Sequence, residues 1–153
     1  MAIIGSVAGS CGHPAPQGDR TMPRPDGWRE ITLGGTVGFA VPPDAQPQNV
    51  QSVDSDFGIL RGAAYEVVYD HGRYGEDLAV LAEKPGFTRK SREVGGRAAE
   101  EITFRGDGRP WQVVRLLSTQ QDPPNTTTIR VSCSDDDTCR LADSVFDSIR
   151  RIR

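Results

Sequence analysis

Two of the three cysteines of this 153-residue chain lie six positions apart in the stretch CSDDDTC, Cys133 to Cys139, with three consecutive aspartates between them. Thiolates and carboxylates so close in sequence suggest a metal site, a redox pair or a disulfide that staples a turn. Zinc held by cysteine needs four Cys or His ligands, and the only histidines are His13 and His71. Adjacent aspartates point different ways and lack the spaced oxygens and turn glycine of a calcium loop. Redox catalysis uses Cys-x-x-Cys at a helix start, whereas five residues intervene here. The favoured reading is a disulfide between Cys133 and Cys139, closing a small loop worth about 2 kcal/mol in lost unfolded-state entropy. The competing reading is a reduced pair in a cytosolic protein.

A second set of side chains with chemical potential is Asp54, Asp56, Asp70, His71 and Asp77, with Tyr74 beside them. Carboxylates converging with an imidazole would make an acid–base or metal cluster, provided that the two stretches carrying them meet at one end of a sheet. The plainer reading is that aspartates beside glycines cap turns, in VDSDFG (Val53 to Gly58) and YDHGRY (Tyr69 to Tyr74). Tyr65, Tyr69, Tyr74 and Trp111 either line a groove or sit on sheet faces. No nucleophile elbow, phosphate loop or zinc helix motif occurs, so no cofactor is expected and no residue is assigned as catalytic.

Positioning these residues falls to a strand-rich architecture. From Trp28 onward the chain alternates apolar and polar residues with period two between turn signals, which predicts a single α+β domain over residues 28–153. WREITL and TVGFAV flank Gly34-Gly35 as a first hairpin. Tyr65, Val67 and Tyr69 share one face of a third strand, and GEDLAVLAEK is a short helix or a strand ahead of Pro85. TRKSREV, RAAEEITF, PWQVVRLLST and TTTIRVSC follow as strands joined by turns too short for crossovers, and so antiparallel. The expected sheet is a curved antiparallel meander of six or seven strands. Leu141, Ala142, Val145, Phe146, Ile149 and Ile152 make one helical stripe, with Arg150, Arg151 and Arg153 crowding its end as the helix dipole favours. Sheet and helix cover each other's apolar faces.

The two short stretches VDSDFG and YDHGRY, with this element order, resemble a group of bacterial exported proteins whose curved sheet and C-terminal helix are similar to the PsbP-like fold. That resemblance implies a non-enzymatic binding, assembly or chaperone role. Residues Ile3 to Cys11, IIGSVAGSC, resemble the end of a bacterial lipoprotein signal, with Cys11 as the lipidated residue and residues 1–27 a signal remnant or Pro-rich tail. The pattern departs from such signals in lacking a basic start, in its short apolar run and in Ser10 before the cysteine. Net charge of −3, with acidic and basic side chains interspersed, offers no basic stripe, so nucleic acid is not an expected partner.

Three function classes follow. The first is an exported envelope protein, periplasmic or lipid-anchored through Cys11, that binds an unidentified protein or small ligand. The second is a small carboxylate- or metal-dependent enzyme built on Asp54 and Asp70. The third is a cytoplasmic chaperone or immunity-like protein that sequesters a secreted effector.

Overall fold

The computed structural model describes residues 24–117, 125–134 and 136–152, with side chains described except at 133 and 136–139. Cys11 and Asp135 therefore lie outside the described residues, as do the side chains of Cys133 and Cys139.

The first hairpin pairs β1 (Arg29–Leu33) with β2 (Val37–Val41). Its turn works because Gly34 and Gly35 both take positive φ, 54° and 68°, the handedness that matches strand twist. Four further strands follow: β3 (Gln46–Pro47), β4 (Ser55–Arg61), β5 (Tyr65–Gly72) and, after a 3₁₀ helix over Leu78–Glu83, β6 (Thr88–Val94). Then come β7 (Arg97–Gly106), β8 (Arg109–Leu116), β9 (Thr126–Cys133), the helix α1 (Asp136–Asp147) and the two-residue β10 (Arg150–Arg151).

These strands form two antiparallel sheets. The smaller has the order β1-β2-β10 and the larger β3-β4-β5-β9-β8-β7-β6. The expected single meander is corrected by this arrangement. β6 to β9 do run as a meander, but β9 inserts beside β5, so that two meanders share one sheet. The hairpin leaves the large sheet altogether and pairs with the chain's last strand.

The helical expectation is corrected at its end. The stripe continues through Ile149 and Ile152 in sequence, but α1 stops at Asp147 and no basic residue lies in its last turn. Ser148 is the cause. Its hydroxyl donates to the Val145 carbonyl at 2.5 Å and accepts the Ala40 amide at 2.8 Å, turning the chain onto β2. Arg150 and Arg151 then pair with Gly38 and Val37 as β10, instead of complementing a helix dipole. Arg150 also ion-pairs with Glu30 of β1.

Side-chain alternation splits the large sheet into two faces. One carries Leu60, Val67, Tyr69, Ala99, Val114, Ile129 and Val131, and packs with α1 and the small sheet around Phe39 and Phe146, both sealed from solvent. Burying aromatic side chains of this size stabilises by several kcal/mol each, which makes the layer the main core. Arg92 of β6 ties helix to sheet on this face. Its guanidinium reaches Glu101 at 2.7 Å, Asp143 at 3.1 Å and Asp147 at 2.7 Å, and lies 5.6 Å from the Phe146 ring centre. The opposite face is covered only in part: Leu78 and Leu81 of the 3₁₀ helix sit on Ile102, Phe104 and Val113, with Trp111 stacked on Phe104.

Among the described residues no helix is long and apolar enough to cross a membrane.

Candidate functional site

VDSDFG and YDHGRY do meet, as the sequence suggests, but as strands and not as turns. Asp56, Phe57 and Gly58 lie in β4, and Tyr69 to Gly72 in β5; the two pair with Asp56 opposite His71 and Phe57 opposite Asp70. The turn-capping reading of Asp56 and Asp70 is corrected accordingly. Glycine conceals β4 in the sequence. A Cβ at Gly58 would stand 2.2 Å from the Tyr69 hydroxyl oxygen, so this position stays empty for the tyrosine ring to cross it.

Because strand neighbours point to opposite faces, the nominated residues are divided. Asp56 and His71 share the helix side. Asp56 Oδ2 accepts the Gly34 amide at 2.6 Å, while His71, buried, bonds through Nδ1 to Thr127 Oγ1 at 2.8 Å. The Gly34 backbone crosses the imidazole so closely that a Cβ there would lie 2.5 Å from Nε2. These contacts lock the hairpin turn onto β5. Two phenols join this side. Burial pushes the Tyr69 hydroxyl above its ordinary titration range, and the Asp56 carboxylate adds to the shift. Tyr65 is pushed up further, first by burial and then by Asp44, to which its hydroxyl donates at 2.6 Å; the same bond holds the Asp44 carboxyl below its usual range. Asp54 and Tyr74 are exposed near the ends of β4 and β5, and Asp77 caps the 3₁₀ helix by accepting the Ala79 amide at 2.9 Å. Among the described residues no three His, Cys, Asp or Glu side chains converge to hold a metal ion.

Asp70 points the other way, into a cleft of about 340 Å³ on the uncovered part of the sheet. Strand register builds it. Phe57, Asp70 and Thr128 form one cross-strand row over β4, β5 and β9; Val68 and Arg130 occupy the next row, and Glu76 reaches in from the loop after β5. Arg130 ion-pairs with Glu76, whose carbonyl accepts Arg115 at 2.9 Å, so the loop is pinned at the cleft rim. Burial lowers the Arg130 guanidinium from its ordinary value, against the opposing pull of Asp70. Asp70 Oδ1 and Thr128 Oγ1 are buried, and neither has a hydrogen-bond partner among the described residues. A buried polar atom left unpaired costs about 1–3 kcal/mol, and here two such acceptors lie in one cross-strand row.

A larger and more open depression of about 560 Å³ lies at the β4–β5 turn, between Arg61, Glu66 and Ser134. Arg61 and Glu66 pair with each other there at 2.6 Å, and Arg109 adds a guanidinium to the lining.

Of the cleft residues only Asp70 is singled out by sequence reasoning. Thr128 and Arg130 give no such signal: they alternate with the core residues Ile129 and Val131 onto the sheet's other face, where polar side chains are ordinary. Phe57, Val68 and Glu76 join them only through register and loop path.

Cys133 ends β9 and Cys139 falls in the first turn of α1, as their spacing suggests. A scan against protein-family models finds no match, and a search of curated proteins finds none either.

Proposed function

We propose that the chain is a non-enzymatic binding module of a bacterial cell envelope, with a PsbP-like variant of the α+β sandwich, and that it holds its ligand on the face of the large sheet that α1 leaves uncovered. The observation that carries this reading is the cleft with two buried, unpartnered acceptor atoms between Phe57 and Val68. A concave site with a few convergent polar groups on a preformed scaffold is the usual form of a ligand pocket. The division of Asp56 and His71 from Asp70 supports binding over acid–base catalysis, since a shared substrate would have to touch both faces of one sheet. The signal-like residues before Cys11 and the Cys133–Cys139 spacing support the envelope and, with it, a disulfide.

Two measurements test the proposal. In native mass spectrometry, protein from its own host should carry a stoichiometric non-covalent adduct that the Asp70→Asn, Thr128→Val double variant lacks; an adduct kept by the variant, or none in either, overturns the binding reading. For the compartment, thiol labelling in acid-quenched cells should leave Cys133 and Cys139 unlabelled. Labelling of both removes the envelope placement.

A further inference from the structure

We infer that the cleft over β4, β5 and β9 takes an alkyl chain ending in a cationic N–H donor, an ammonium or a guanidinium. This rests on the reading of that face as the binding face and names the chemistry it selects. The lining contributes two carboxylates, Asp70 and Glu76, and one guanidinium, Arg130, for a formal charge of −2 + 1 = −1. Arg130 ion-pairs with Glu76 and also feels the Asp70 charge, so one guanidinium serves two carboxylates. Asp70 Oδ1 can only accept hydrogen bonds, and Thr128 Oγ1, on a residue 2% exposed, offers a second acceptor in the same cross-strand row.

A ligand with at least two N–H vectors and a positive charge satisfies both atoms and the excess charge together. An anion would meet Asp70 and Glu76 head on. A neutral hydroxyl could bond to either atom but would leave the carboxylate uncompensated in a site where water is partly excluded. Phe57 and Val68 form the apolar wall along which a methylene stem can lie, the way long cationic side chains cover apolar surface. The volume of about 340 Å³ is at the small end of ligand pockets and suits a stem of a few methylenes. Arg115, which pins the Glu76 loop, adds a positive charge at the rim, outside the lining.

The same head group occurs on a lysine or arginine side chain of a partner and on a free diamine. The test uses the intact chain and amide NMR. Pentylammonium chloride should shift the amides of Val68, Asp70, Thr128 and Arg130 saturably, and 1-pentanol at the same concentration should not. Asp70→Asn should weaken the binding at least tenfold and Thr128→Val severalfold, with amides of α1 unmoved in both variants as the check on folding. Nα-acetyl-lysine methylamide and pentane-1,5-diamine then separate the sources: tighter binding of the first assigns a peptide side chain, of the second a free diamine, and either upholds the inference. Shifts equal for the alcohol, shifts elsewhere on the surface, or none at all overturn it. A native adduct that proves not to be an amine or guanidine would leave the binding module standing and remove only this assignment.

Discussion

Replacing Arg92 with Met tests whether the helix is docked by charge as well as by apolar area. The substitution keeps an apolar stem over Phe146 and deletes the guanidinium. Its three acceptors are unequal. Asp143 and Asp147 are largely solvated, and surface pairs of that kind are worth about 0–1 kcal/mol. Glu101 is 3% exposed, so losing Arg92 leaves it with Lys90 alone, at 3.2 Å and itself mostly in water. Breaking a buried pair by removing one partner costs about 3–5 kcal/mol, and the remaining lysine trims that toward the lower figure. Lost cation–π attraction adds about 0.5–1 kcal/mol. The expected destabilisation is therefore about 3 kcal/mol, a fall in Tm of about 6–12 °C for a domain of this size. Urea denaturation supplies the free energy and a double-mutant cycle supplies the cause. With Glu101→Gln already in place, Arg92→Met should cost at least about 1 kcal/mol less, because no buried charge is stranded. A single-variant loss below about 1 kcal/mol, or costs that simply add, would refute the reasoning.

Other expectations follow from the same contacts. Phe146→Ala, at a fully buried ring between α1 and the sheet, should cost about 3–5 kcal/mol by denaturation midpoint; a loss under about 1 kcal/mol would mean that the helix docks elsewhere. Gly58→Ala drives a methyl into the Tyr69 ring and should cost about 1–3 kcal/mol, most of it recovered when Tyr69→Val is added; no recovery would put the strain elsewhere. Tyr65 and Tyr69 should titrate above the ordinary phenol value of 10.0 in absorbance at alkaline pH. Their raised values mean that the native state keeps its phenol protons longer, so this stability is complete below pH 10.0 and is lost as pH rises beyond it; Tyr65→Phe should flatten that decline, and an unchanged slope would count against it.

What the sequence revealed was whatever local chemistry decides. Gly34-Gly35 prescribes the first hairpin, alternation marks β6 to β9, and the stripe from Leu141 to Phe146 marks α1. β4 escaped because Gly58 yields its place to a ring from β5, removing the apolar residue that alternation requires. β10 escaped because Ile149 and Ile152 fit a helical period, while Ser148, a residue with no apolar signal, ends the helix. The position of β9 beside β5 is a tertiary choice that no local pattern encodes, and the cleft inherits that opacity: Asp70, Thr128 and Arg130 become neighbours only through that pairing.

The pairing of β10 with β2 also sets a schedule. Arg150 and Arg151 are synthesised more than a hundred residues after Gly38 and Val37, and the Ser148 hydroxyl that takes the Ala40 amide arrives just before them. A ribosome making this chain therefore exposes the hairpin long before its third strand and its helical cover exist. Contacts so distant in sequence must wait for the loop between them to close, and they form slowly. An early-made hairpin is completed by a strand made much later. The small sheet is thus complete only when residues more than a hundred positions apart have met.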